Sequence, residues 1–87
     1  MAEIQVEEDA GEFRVTVDGT TTHTVDVPDD YVAKLGLAAV DRAELVRVSF
    51  EFLLEREPKE SIMPSFELSV IERYFPEYPD EIVRRLR

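Results

Sequence analysis

The single histidine of this 87-residue chain, His23, is the side chain best suited to acid–base chemistry at neutral pH. A lone imidazole works only where the fold brings it an acid, a nucleophile or a metal. His23 falls on the apolar parity of the run over 23–27, which predicts a core or strand-edge histidine rather than a catalytic one. Acids cluster at Glu7-Glu8-Asp9 and at Asp29-Asp30. Neither group has the alternating oxygen ligands around a glycine that a calcium loop requires, so both read as solvated turns. The chain has no cysteine, which removes disulfides and thiolate metal sites. Gly11, Gly19 and Gly36 are too scattered to cradle a phosphate, and there is no nucleophile elbow. The expectation is a non-enzymatic protein with no catalytic, metal or cofactor site.

Charge is distributed unevenly. The formal net charge is −10, and residues 1–30 hold nine acids against the single base Arg14, a net of −8. Such a surface repels phosphate backbones and attracts basic partners. Composition is 44% hydrophobic and 34% charged, which is globular rather than disordered. No apolar run approaches the roughly 18 residues of a membrane span. The amino terminus lacks the basic and apolar regions of a signal peptide, which predicts a cytoplasmic location.

The elements follow from periodicity. Residues 3–27 alternate with period two, giving three half-buried strands: Ile4 and Val6, then Phe13, Val15 and Val17, then His23, Val25 and Val27. A four-residue turn at 8–11 sets Val6 opposite Phe13, with Gly11 supplying a positive φ. At Asp18-Gly19 a two-residue turn would put Val25 on the wrong face, so parity demands three or five residues there. Pro28 ends the third strand. A short helix follows over 29–35, with Gly36 as its C′ residue. Asp41 and Glu44 form a box-like start to the main helix over 41–56, which Pro58 stops. A second box at Ser69–Glu72 starts a short helix over 70–75, and Pro79 opens a final one through Leu86, its buried stripe being Ile82, Val83 and Leu86. The fold class is α+β: a three-stranded antiparallel meander, then a short helix, one long helix and two short C-terminal helices, in one domain (meander 3–27, helical part 29–87).

The main helix is apolar over more of its circumference than one sheet covers, with Ala43, Leu45, Val46, Val48, Phe50, Phe52, Leu53 and Leu54 all inside it. A second cover is needed, either the aromatic C-terminal third or a second subunit, so monomer and homodimer both stand. Through the apolar zone runs a heptad-spaced line of Arg42, Ser49 and Arg56. The two arginines either snorkel outward from the helix ends or line a groove for an acidic or peptide-like partner. Arg84, Arg85 and Arg87 suit the C-terminal end of a helix dipole. Candidate partner-binding residues are therefore Arg42 and Arg56, together with Phe66, Tyr74 and Tyr78 of the aromatic, proline-rich third.

The run Val25-Asp26-Val27-Pro28-Asp29-Asp30-Tyr31-Val32-Ala33-Lys34-Leu35-Gly36-Leu37 resembles one stretch of the swapped-hairpin transcription factors and antitoxins. In that family a strand passes through a proline into a short helix ending Leu-Gly-Leu. The resemblance covers thirteen residues and implies an alternative function, a dimeric antitoxin-like DNA-binding regulator. The family's DNA-facing segments are basic, whereas the corresponding ones here are acidic. The favoured reading is a small acidic interaction or regulatory module with a basic or peptide-like protein partner, no membrane association and no nucleic acid.

Overall fold

Alternation over the first third builds the expected meander. In the computed structural model, which describes residues 2–86, β1 (Ile4–Asp9), β2 (Glu12–Val17) and β3 (Thr21–Asp26) pair antiparallel in sequence order. Phe13, Val15, Val17, His23 and Val25 are buried on one face. The other face carries Gln5, Glu7, Glu12, Arg14, Thr22 and Asp26, all exposed. Arg87 of the basic C-terminus lies outside the described residues.

The two hairpins differ in how they match parity. The second uses a three-residue loop, Asp18-Gly19-Thr20, which sets Val15 opposite His23 and Phe13 opposite Val25 as parity required. The first is tighter than a four-residue turn: Asp9 pairs Glu12 across Ala10-Gly11, so Val6 faces Val15 and Ile4 faces Val17. This slip of two residues leaves every side chain on its face. It is made possible because Ala10 (φ 53°) joins Gly11 (φ 85°) in the left-handed region, the geometry of a two-residue turn whose twist suits the strands.

The sheet has a fourth strand that corrects the three-stranded expectation. β4 (Ser65–Glu67) lies parallel to β3, with Phe66 beside Val25. Parallel neighbours need a long crossover. Here that crossover holds α1 (Asp29–Lys34) and α2 (Arg42–Leu54). α1 ends in a Schellman arrangement: the Leu37 amide donates to Val32 O (3.1 Å) and the Gly36 amide to Ala33 O (3.0 Å), with Gly36 at φ 74°. Leu37 is buried, the apolar contact that accompanies such a cap.

α2 is free of glycine and proline and starts after Asp41, as the sequence predicts, but the Asp41 side chain makes no capping hydrogen bond. Glu44 turns instead to Arg47, whose guanidinium binds Glu44 (2.6 Å) and Glu51 (2.9 Å) along the exposed strip. The second capping box also fails to form. Residues 68–70 make a 3₁₀ turn, α3 (Ile71–Tyr74) begins after it, and Ser69 donates to Glu67 rather than capping. α4 (Tyr78–Leu86) begins one residue before Pro79.

α4 supplies the second cover for α2 within the same chain. Tyr78 and Ile82 are fully buried, and Val83 and Leu86 pack against the core half-buried. Ser49, the polar residue in the middle of the apolar zone of α2, is fully buried too. Its hydroxyl donates to Leu45 O (2.7 Å) and meets Tyr78 Oη at 2.7 Å. Edge contacts of Phe52 with Phe75 (5.9 Å) and Tyr78 (5.3 Å) complete the seam. At its surface, Arg85 binds Glu55 (2.6 Å) and Arg56 binds Glu77 (3.1 Å).

Candidate functional site

His23 is accounted for by structure. Its ring is 3% exposed and packs 5.4 Å from Phe50. Nδ1 lies 2.9 Å from Met63 O, a carbonyl that can only accept, so Nδ1 carries the proton. Nε2 lies 3.1 Å from Thr21 Oγ1, within hydrogen-bond distance. The Nδ1 bond ties the chain before β4 to β3, and the Nε2 contact stays within β3. The Thr24 amide adds a bond to Pro64 O at 2.8 Å. Among the described residues, no group of three or more His, Asp or Glu side chains is placed to hold a metal ion.

The five candidate residues separate. Arg42 pairs with Asp29 at the start of α1, tying the two crossover helices together. Arg56 stacks its guanidinium 3.6 Å from the centre of the Phe52 ring while bonding Glu77, Glu55 and Phe52 O. Both arginines are thus engaged within the chain, on different ends of α2, and share no groove. Tyr78 is fully buried against Ser49, a core residue rather than a surface one, and burial pushes its hydroxyl pKa well up. Phe66 and Tyr74 do come together.

They line a groove of about 440 Å³ between the end of α2, the chain over 61–63, β4 and α3. Leu53, Ile62, Phe66, Ile71 and Phe75 form its apolar floor. Met63 (38% exposed) and Tyr74 (67% exposed) stand on its rim, and these are the two exposed large hydrophobic residues among those described. Glu57 is the one charged residue lining it. The proline-rich character of the last third explains the shape. Pro58 keeps α2 from continuing, a 3₁₀ turn follows at Lys59–Ser61, and Pro64 leads into β4, so the chain over 61–63 lines the groove beside the end of α2. Sequence reasoning singled out Phe66 and Tyr74 but missed Met63 and Glu57. The one sequence signal was Met63 itself, a large apolar residue between Pro58 and Pro64.

A second concavity, about 500 Å³ but shallow, lies by Val6, Asp41, Ala43, Glu44 and Arg47. Of its charged side chains, Glu44 and Arg47 pair with one another, and Asp41 is exposed. Elsewhere the Tyr31 hydroxyl is buried with no hydrogen-bond partner among the described residues. Burial first, and then the neighbouring Glu72 carboxylate, push its pKa strongly up. No well-formed hydrogen bond joins the two, and the group opens into neither concavity. Comparison with protein-family models, with curated proteins and with solved structures finds no match for this chain. None of the described helices is long and apolar enough to cross a membrane.

Proposed function

We propose that this protein is a non-catalytic, cytoplasmic interaction module that docks a segment of a protein partner in the groove beneath Met63 and Tyr74. The observation that carries this reading is the placement of those two residues. Apolar side chains scattered singly over a surface are ordinary. Here both exposed ones flank one concave apolar floor. Tyrosine brings a large, rigid contact at low entropic cost, and methionine adapts to the shape of what it meets. A non-catalytic role is supported by the engagement of both His23 nitrogens within the fold.

The test is selection from a random-peptide display library, run in parallel on the wild-type chain and on the double variant Met63→Ser/Tyr74→Ser. Both substitutions are at exposed side chains and leave stability within about 0.5 kcal/mol. Wild-type protein should enrich peptides that the double variant fails to hold. Equal retention by the two proteins, or no enrichment on either, refutes the groove as a docking site.

A further inference from the structure

We infer that the occupant of this groove carries an arginine or lysine next to its apolar anchor, and that Glu57 is the residue that reads the base. The inference rests on the groove being the docking site and adds the chemistry of what docks. Glu57 is half-buried and is the groove's one charged lining residue. Its carboxylate enters none of the ion pairs formed among the described residues. The cations nearest to it in sequence are committed elsewhere. Arg56 is held over Phe52 by Glu55 and Glu77. Lys59 reaches away to Asp18, 3.1 Å from its carboxylate. The fold therefore leaves a carboxylate at the border of an apolar floor with no ion-pair partner among the described residues.

An incoming apolar side chain that fills the floor also takes water from Glu57. Desolvating a carboxylate is costly unless a cation arrives with the ligand. An occupant with a base beside its anchor offsets that cost with a charge-assisted hydrogen bond, a neutral one leaves it standing, and an acidic one adds repulsion. The exposed ring of Tyr74 on the rim offers the same cation a π-face. The net charge of −10 works in the same direction at long range, steering basic segments toward the protein.

The library selection reads this directly when Glu57→Gln is run beside the wild-type chain. Peptides enriched on wild type should pair a large apolar residue with an adjacent arginine or lysine. A synthetic copy of the best peptide, titrated calorimetrically, should lose about tenfold in affinity when its base becomes glutamine, equivalent to about 1.4 kcal/mol. On Glu57→Gln the two peptides should bind alike, while thermal melting shows the variant folded. Groove-dependent peptides with no basic preference, or a basic preference that survives Glu57→Gln, overturn this inference and leave the docking reading intact. Peptides held equally well by the Met63→Ser/Tyr74→Ser variant, or no enrichment, overturn both.

Discussion

Replacing Ser49 should destabilise this protein more than replacing its larger partner, Tyr78, by phenylalanine. The Ser49 hydroxyl has one proton, and the 2.7 Å contact with Leu45 O uses it, because a carbonyl can only accept. The 2.7 Å contact with Tyr78 must then be a bond that Tyr78 donates. Both residues are fully buried. Ser49→Ala leaves the tyrosine O–H in an apolar seam with nothing to donate to, at a cost of about 2 kcal/mol. Tyr78→Phe removes the donor instead. Serine keeps its own acceptor, and only the net value of one hydrogen bond, about 1 kcal/mol, is lost. The double variant leaves no polar atom stranded and should cost about 1–2 kcal/mol less than the sum of the singles. Urea unfolding followed by tyrosine fluorescence gives each value. Calorimetry should show Ser49→Ala melting about 10 °C below wild type, as expected for a domain of this size. A cost below about 0.5 kcal/mol for Ser49→Ala, or additive singles, would refute the claim that α4 seats Tyr78 on α2.

Other expectations concern the turns, the caps and pH. Ala10→Asn should stabilise by about 0.5–1 kcal/mol, because asparagine tolerates the left-handed geometry that Ala10 is held in (φ 53°). A loss of stability in urea unfolding would mean that the first hairpin does not turn at Ala10-Gly11. Asp41→Ala should change stability by less than about 0.3 kcal/mol, well under the ~1 kcal/mol of a working cap, since its side chain caps nothing. A loss near 1 kcal/mol in the same assay would place a capping bond there. At high pH, Tyr31 and Tyr78 are both held neutral by burial above all, so their folded pKa values lie above the unfolded value of about 10. Their contribution is complete below about pH 10 and is lost as pH rises further, so their tyrosinate absorbance should emerge only with unfolding. Its emergence in protein that is still folded would show that these hydroxyls are solvated. At low pH the sign reverses. The Glu3 amide on Asp18, Arg47 on Glu44, Arg85 on Glu55 and Glu77's own amide each hold a carboxyl below its usual range. Their contribution is complete above about pH 4 and is lost progressively as pH falls from there through those lowered values, read by circular dichroism. Unfolding already complete by about pH 4 would contradict these pairings.

Parity made the meander legible, since a face shared by Phe13, Val15 and Val17 constrains which loop lengths are allowed. It could not separate registers two residues apart, because both leave the apolar face intact. The choice fell to Ala10, a residue with no intrinsic preference for positive φ. β4 is three residues long, too short for alternation to show, and its pairing depends on a crossover that sequence spacing does not specify. The two capping boxes had the right residue types, yet Glu44 and Ser69 found nearer partners in Arg47 and Glu67. Tyr78 illustrates a different limit. Composition marks the C-terminal aromatics as a group, and only the three-dimensional seam divides them into core and rim. A physical hint did exist: Ser49 alone in an apolar helix face needs a polar partner from another element, and a tyrosine could supply it. The groove itself had no local signature, because its lining comes from the end of α2, the chain over 61–63, β4 and α3, which only the fold brings together.

The proposed docking site is the rim of Met63 and Tyr74, with Glu57 between α2 and the 3₁₀ turn. Amide-resolved NMR during titration with a library-selected peptide tests it most directly. Shifts should be confined to Leu53, Glu57, Ile62, Met63, Phe66 and residues 70–75, with the outer face of β1–β3 unmoved. Shifts concentrated on that acidic sheet face, with the groove silent, would contradict it.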